Sequence, residues 1–138
     1  MYLLDTNVVS ELRRVRPHRA VLAWLEGIED ADLHLSAVTV GEIQAGIEMT
    51  REQDPAKAAE IQAWLEQVAR TFNVLGADAA IFQRWARLMH RRSDQLIEDA
   101  LIAATAAVHD LTVVTRNVRD FMAFGVPVLN PFDPQPAR

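Results

Sequence analysis

Met1-Tyr2-Leu3-Leu4-Asp5-Thr6-Asn7 opens the chain. A short apolar strand runs directly into a carboxylate. In open α/β sheets, ligands bind in the crevice beyond the carboxyl ends of the strands. Asp5 therefore stands where such a fold does its chemistry. What joins it at that rim depends on how the remaining strands and helices alternate.

Hydrophobic periodicity predicts a helix from Thr6 to Arg14, with Val8, Val9, Leu12 and Val15 near helical spacing and Pro17 breaking it. A second helix covers Ala20 to Ile28 and a short strand Leu33 to Leu35. Ser36 is positioned to cap a helix running through Arg51. Pro55 suits the first turn of a helix to about Arg70, whose Ile61, Trp64, Leu65 and Val68 form one apolar stripe. Asn73 to Leu75 reads as a strand, and Asp78 as the cap of a helix through Met89. Asp94 to His109 reads as one helix, with an alanine-rich centre that allows close approach to a sheet. Leu111 to Val114 is a β-branched strand, Asn117 to Ala123 a short helix, and Val126 to Leu129 a last edge strand around Pro127. Residues 1–132 form one domain, and 133–138 an irregular tail. Strands alternating with helices predict an α/β fold: a parallel sheet of about four to five strands, covered on both faces and joined by right-handed crossovers. The aromatic residues Trp24, Trp64, Trp85 and Phe82 are assigned to the core.

Composition narrows the chemistry. The 138 residues carry no cysteine, which excludes disulfides, thiolate-bound metals and thiol nucleophiles. Arginine outnumbers lysine 13 to 1, and Lys57 lies in Pro55-Ala56-Lys57-Ala58, so there is no Walker A loop. A net charge of −5 argues against a protein that coats nucleic acid by itself. No apolar run is long enough to span a membrane, and no basic-then-apolar leader opens the chain, so a cytoplasmic location is expected.

Four acids fall at or near strand ends and helix starts: Asp5 after the first strand, Glu42 in the helix after the second, Asp99 opening the alanine-rich helix, and Asp120 after Val113-Val114. Singly, each has a structural explanation. Asp5 would cap the first helix. Asp99 and Glu98 would be first-turn carboxylates favoured by the helix dipole, and Asn117 with Asp120 would make a capping-box arrangement. Together they suggest something else. Hard divalent cations take oxygen ligands, and a cluster of like charges is unfavourable unless a cation neutralises it. Thr6 and Asn7 would orient Asp5 or a water. Thr115 would hydrogen-bond a carboxylate, and Asn117 would either cap its helix or serve the site. Arg116, Arg119 and Arg13 would contact a phosphate or a partner's carboxylate.

Leu3-Leu4-Asp5-Thr6-Asn7-Val8, Ser36 through Gly41-Glu42-Ile43-Gln44-Ala45-Gly46, Asp99-Ala100-Leu101-Ile102-Ala103-Ala104-Thr105-Ala106, Leu111 through Thr115-Arg116-Asn117-Val118-Arg119-Asp120-Phe121, and Gly125 to Phe132 recur in one family. The chain resembles the PIN-domain ribonucleases, and among them the VapC toxins of type II toxin–antitoxin systems, most closely the FitB-like branch. The resemblance runs nearly end to end. It implies a three-layer α/β/α PIN-like fold, and Asp5, Glu42, Asp99 and Asp120 as an acidic site for Mg²⁺, with Mn²⁺ as a substitute. Glu98 beside Asp99 would be a rim residue or assist a second metal. The resemblance further implies endonucleolytic cleavage of RNA, a homodimer, and inhibition by a cognate VapB-like antitoxin, with DNA bound only through the antitoxin complex. The rival reading is a regulatory module acting with the antitoxin as a DNA-binding co-repressor. A haloacid-dehalogenase-type phosphatase would need an acid where Asn7 stands. A receiver domain would need a lysine where Thr115-Arg116 stands.

Overall fold

The computed structural model describes residues 1–135. Five parallel strands form one sheet: β1 (Tyr2–Leu4), β2 (Leu33–Ser36), β3 (Asn73–Leu75), β4 (Thr112–Val114) and β5 (Val128–Leu129), in spatial order β3-β2-β1-β4-β5. The expected α/β class and strand number are both met. Tyr2 pairs with Leu33 on one side and Thr112 on the other; Leu4 pairs with Leu35 and Val114.

Alternation along each strand divides the core into two layers, as the two-residue side-chain period requires. Leu3 and Val113 point to one face, where they meet Ala100, Ile102, Ala103, Ala106, Phe121 and Phe124. These belong to α6 (Ile97–His109) and α7 (Val118–Ala123), with the segment that follows it. Trp85 and Leu88 of α5 (Ala79–Met89) complete that layer. Leu4 and Val114 point to the other face, against Val8 and Val9 of α1 (Thr6–Glu11), Val21 and Trp24 of α2 (Arg19–Glu26), and Val68 of α4 (Pro55–Thr71). Ile47 of α3 (Ala37–Gln53) packs on Ala58, Ile61 and Leu65 of α4. The result is three layers, α/β/α. Each fully buried Leu or Val contributes roughly 1.5–3 kcal/mol, and Ala100, Ala103, Ala104 and Ala106 of α6 are fully buried.

Most helix starts follow the expected chemistry. The Ser36 hydroxyl accepts from Val38 N at 3.1 Å and the Asp78 carboxylate from Ile81 N at 3.0 Å. Pro55 opens α4, with Asp54 capping it. Some boundaries differ. α1 ends at Glu11 rather than Arg14, because the buried Glu11 carboxylate turns to accept His18 N at 2.8 Å and pair with Arg14 at 3.5 Å. Val15 is left 99% exposed, outside any apolar face. α2 gives way at Gly27. The segment expected as one helix from Asp94 begins as a 3-10 turn, Asp94–Leu96, capped by the Ser93 hydroxyl. The last strand starts only after Pro127, which has no N–H for a ladder bond. Trp24 is buried as expected, Trp64 and Trp85 are half-buried, and Phe82 is exposed. Residues 133–135 are irregular; the remainder of the expected tail, 136–138, lies outside the described residues. Among the described residues no helix is long and apolar enough to cross a membrane.

After β1 the chain moves outward through β2 to β3, then returns to place β4 on the other side of β1. The crevice at such a reversal, beyond the strand carboxyl ends, is where open α/β sheets bind ligands. Asp5 and Thr115 immediately follow those two strands.

Candidate metal centre

Asp5 is held from four sides. Its backbone N–H donates to Val114 O at 2.9 Å, which extends the β1–β4 pairing by one residue. Its Oδ1 accepts from Thr6 N at 2.7 Å and so caps α1. Its Oδ2 accepts from the Thr115 hydroxyl at 2.8 Å and from Asn7 Nδ2 at 3.2 Å. The residue is 5% exposed and Thr115 fully buried. The capping reading of Asp5 is therefore correct, and it leaves the carboxylate facing the rim with fixed orientation. Burial pushes its pKa up from the ordinary carboxylate value, although the Thr115, Thr6 and Asn7 hydrogen bonds pull the other way.

Glu42 comes from α3. Thr6 links it to the first helix: the Thr6 hydroxyl is 3.1 Å from Glu42 Oε1 and 3.2 Å from the Thr39 hydroxyl. Thr39 is completely buried. It was not anticipated, although it precedes Glu42 by one helical turn and so shares its face. Desolvation raises the Glu42 pKa, and the charges of Asp5, Glu98 and Asp99 raise it further.

Asp99 lies in the first turn of α6. Its pKa is pushed up to about 6, first by desolvation and then by the charges of Asp5, Asp120 and Glu98. Asn117 Nδ2 reaches Asp99 Oδ2 at 3.4 Å. The Asn117 side chain makes no capping bond to α7, so the capping-box reading of Asn117 and Asp120 is not observed. Its backbone N–H donates instead to the Thr115 hydroxyl at 2.9 Å. Asp120, in the first turn of α7, is half-buried and close enough for its charge to act on Asp99. Glu98 is exposed at the same mouth and acts on both Glu42 and Asp99.

The acids chosen from the sequence thus share one field. None has a cationic partner: among the described residues the ion pairs are Arg14–Glu11 and Arg51–Glu48, both elsewhere. The donor set is entirely oxygen; burial raises the pKa of Asp5, Glu42 and Asp99, and neighbouring carboxylates raise those of Glu42 and Asp99 further. A hard divalent cation would relieve that. Among the described residues no three carboxylates or imidazoles already close on one point. Mg²⁺ keeps several waters and is usually held through one or two carboxylates rather than in a closed protein cage, so the set fits that ion.

The arginines separate. Arg13 lines a groove of about 270 Å³ with Thr6, Glu42, Ile47 and Trp64, between α1, α3 and α4. Arg116 N donates to Asn7 Oδ1 at 3.2 Å, and its guanidinium lies over the Phe132 ring, 3.7 Å from the centroid. Arg119 is exposed beside Asp120. Neither the Arg116–Phe132 contact nor the buried Glu11 follows from the sequence pattern: the first joins segments sixteen residues apart, and the second depends on how the chain turns back at His18.

Residues 2–124 match the PIN domain family. The toxin FitB of Neisseria gonorrhoeae is 37% identical, covering 96% of this chain and 99% of that protein. The VapC ribonuclease Y4jK of Sinorhizobium fredii is 33% identical, covering 97% of this chain and 99% of its own. Among solved structures, FitAB bound to the IR36 DNA fragment superposes with a TM-score of 0.86 at 33% identity, over 100% of both chains. The chain belongs to the PIN-domain family, in the branch that holds the VapC ribonucleases and the toxin FitB.

Proposed function

We propose that this chain is a metal-dependent endoribonuclease, the toxin of a type II toxin–antitoxin pair, acting on RNA in the cytoplasm. The observation that carries the reading is the acidic group at the β1/β4 crevice, whose carboxylates raise the pKa of Glu42 and Asp99 and which has no cationic partner among the described residues. The relatives support it: one is named a ribonuclease and another a toxin.

In this reading Asp5, Asp99, Asp120 and Glu42 hold Mg²⁺, one or two directly and the others through its waters, with Mn²⁺ as a substitute. Bound there, the ion supplies charge neutralisation at the scissile phosphate and a more acidic water. The chain's own groups do the rest. Thr115, Thr6 and Asn7 fix the rotamer of Asp5, so its free lone pairs face one direction. Asn117 steadies Asp99. Glu42, at the mouth with a raised pKa, takes a proton from the attacking water. Glu98 tunes both carboxylates, while Arg116, Arg119 and Arg13 contact RNA or a partner.

A cognate VapB-like antitoxin inhibits the enzyme, and the active form is a homodimer. DNA is bound only through the antitoxin complex, since a net charge of −5 disfavours coating a duplex by unspecific phosphate contacts, while a local RNA grip beside the site is compatible with it. The solved FitAB–DNA assembly gives the co-repressor reading its support, and the two activities are compatible. A mobility-shift assay on operator DNA with and without the antitoxin separates them.

The decisive experiment incubates purified protein with a structured RNA and Mg²⁺. Cleavage is expected with Mg²⁺, none in EDTA, and none with Asp5→Asn, whose amide retains the helix cap. Wild-type cleavage by that variant would remove the site assignment.

A further inference from the structure

We propose that Arg116, stacked on Phe132, is the grip for a substrate phosphate beside the acidic crevice, and that Phe132 acts as its positioning residue. The proposal rests on the ribonuclease reading and specifies how an acidic rim admits a polyanion.

Arg116 sits between Thr115, which holds Asp5, and Asn117, which holds Asp99. One amide brackets it to the site: Asn7 Oδ1 accepts the Arg116 N–H at 3.2 Å, while Asn7 Nδ2 donates to Asp5 Oδ2 at 3.2 Å. The main chain at Arg116 therefore cannot shift without disturbing the carboxylate. The side chain is exposed and, among the described residues, its guanidinium makes no ion pair. It is nevertheless not loose. The C-terminal segment leaves β5, whose Leu129 O accepts Thr115 N at 2.9 Å, and returns to place Phe132 under the guanidinium at 3.7 Å. Phe132 is fixed in turn: its N–H donates to Asn130 Oδ1 at 3.0 Å, and its ring meets the His18 ring at 5.2 Å, edge to face.

Stacking covers a face of the guanidinium and leaves its N–H edges available, the geometry in which arginine takes a phosphate bidentately. Because the fork is already held, less rotamer freedom is lost on binding. The charge argument points the same way. Five carboxylates crowd this mouth, so an entering phosphate needs a fixed cation next to them. Arg116 is anchored to Asp5 through the Asn7 amide and is followed directly by Asn117, which reaches Asp99.

The test is steady-state cleavage of a single-stranded oligoribonucleotide by the full chain with Mg²⁺, alongside fluorescence anisotropy with the same labelled RNA in Ca²⁺. Phe132→Leu keeps the bulk and removes the π face, and should raise KM about three- to tenfold with kcat within about twofold. Phe132→Trp should stay near wild type. Arg116→Ala should raise KM by at least about tenfold and lower the salt slope of RNA binding by about 0.7, the value for one phosphate contact on a single strand. Adding Phe132→Leu to Arg116→Ala should cost nothing more. Thermal melts check that each variant folds. An unchanged KM for Phe132→Leu, or additive effects in the double variant, would overturn the proposal. So would an unchanged KM with weaker inhibition by antitoxin, which would assign Arg116 to the protein partner. A wild type that binds RNA in a Phe132-dependent way but does not cut it would retract the ribonuclease reading and keep the grip.

Discussion

The Thr115 hydroxyl donates to Asp5 Oδ2 at 2.8 Å, joining residues 110 apart in the chain, both buried at the ends of adjacent parallel strands. The Thr115 hydroxyl oxygen in turn accepts from Asn117 N at 2.9 Å. One side chain therefore orients the most buried carboxylate of the site and shapes the loop that brings Asn117 to Asp99.

Replacing that hydroxyl with a methyl, Thr115→Val, leaves a buried carboxylate oxygen short of a donor and an N–H short of an acceptor. The expected loss is about 1–3 kcal/mol of folding stability, the usual cost of an unsatisfied buried group. Mg²⁺ affinity should weaken with it, since Asp5 becomes harder to ionise. Urea unfolding and metal titration followed by Tm check both, and Thr115→Ser should restore most of the loss.

Asp99→Asn should separate stability from function. At pH 7.5 the Asp99 carboxylate, with a pKa of about 6, is ionised and repelled by Asp5, Asp120 and Glu98. Removing its charge should abolish cleavage while raising the Tm of the metal-free protein by roughly 1–3 °C, a small figure because solvent screens a half-exposed group. A lower Tm in EDTA would contradict the repulsion.

The raised Asp99 pKa also fixes a pH dependence. Its folded value, about 6, lies above the ordinary 3.8, so the native state holds the proton more tightly than the unfolded chain. The resulting stability is fully present below about pH 3.8 and is lost as pH rises through about 6. Metal-free protein should therefore lose this contribution across that window, and Mg²⁺ should offset the loss above pH 6 but hardly below pH 5. Cleavage at fixed Mg²⁺ should rise through the same range. Melting curves in EDTA and in Mg²⁺ at stepped pH measure the divergence.

Glu11→Ala tests the short first helix. It leaves His18 N without its 2.8 Å acceptor and breaks the pair with Arg14. A loss of about 1–3 kcal/mol is expected, with a smaller one for Glu11→Gln, whose amide oxygen still accepts from His18. Chemical denaturation distinguishes the two variants.

Much of this was legible because its determinants are local. Ser36 and Asp78 cap helices through bonds within three residues, and Pro55 opens α4 from its own fixed φ. The alternation of Leu3 with Leu4, and of Val113 with Val114, divides the core between two faces. Spacing alone carries the first helix to Arg14, since Val15 fits it, whereas a buried carboxylate seven residues before His18 decides where it stops.

By itself the sequence determined the α/β class, the order of strands and helices, and the placing of Asp5, Glu42, Asp99 and Asp120 at the carboxyl-end rim, since each depends on periodicity and strand-end position. Only the tertiary structure decided how those acids act on one another. That required the strand order β3-β2-β1-β4-β5, which sets Thr115 against Asp5. It also required the crowding that lifts Asp99 to about 6 and the return of Phe132 beneath Arg116. Desolvation and Coulomb repulsion depend on distance in space, and a hydrogen bond across 110 residues leaves no trace in local pattern.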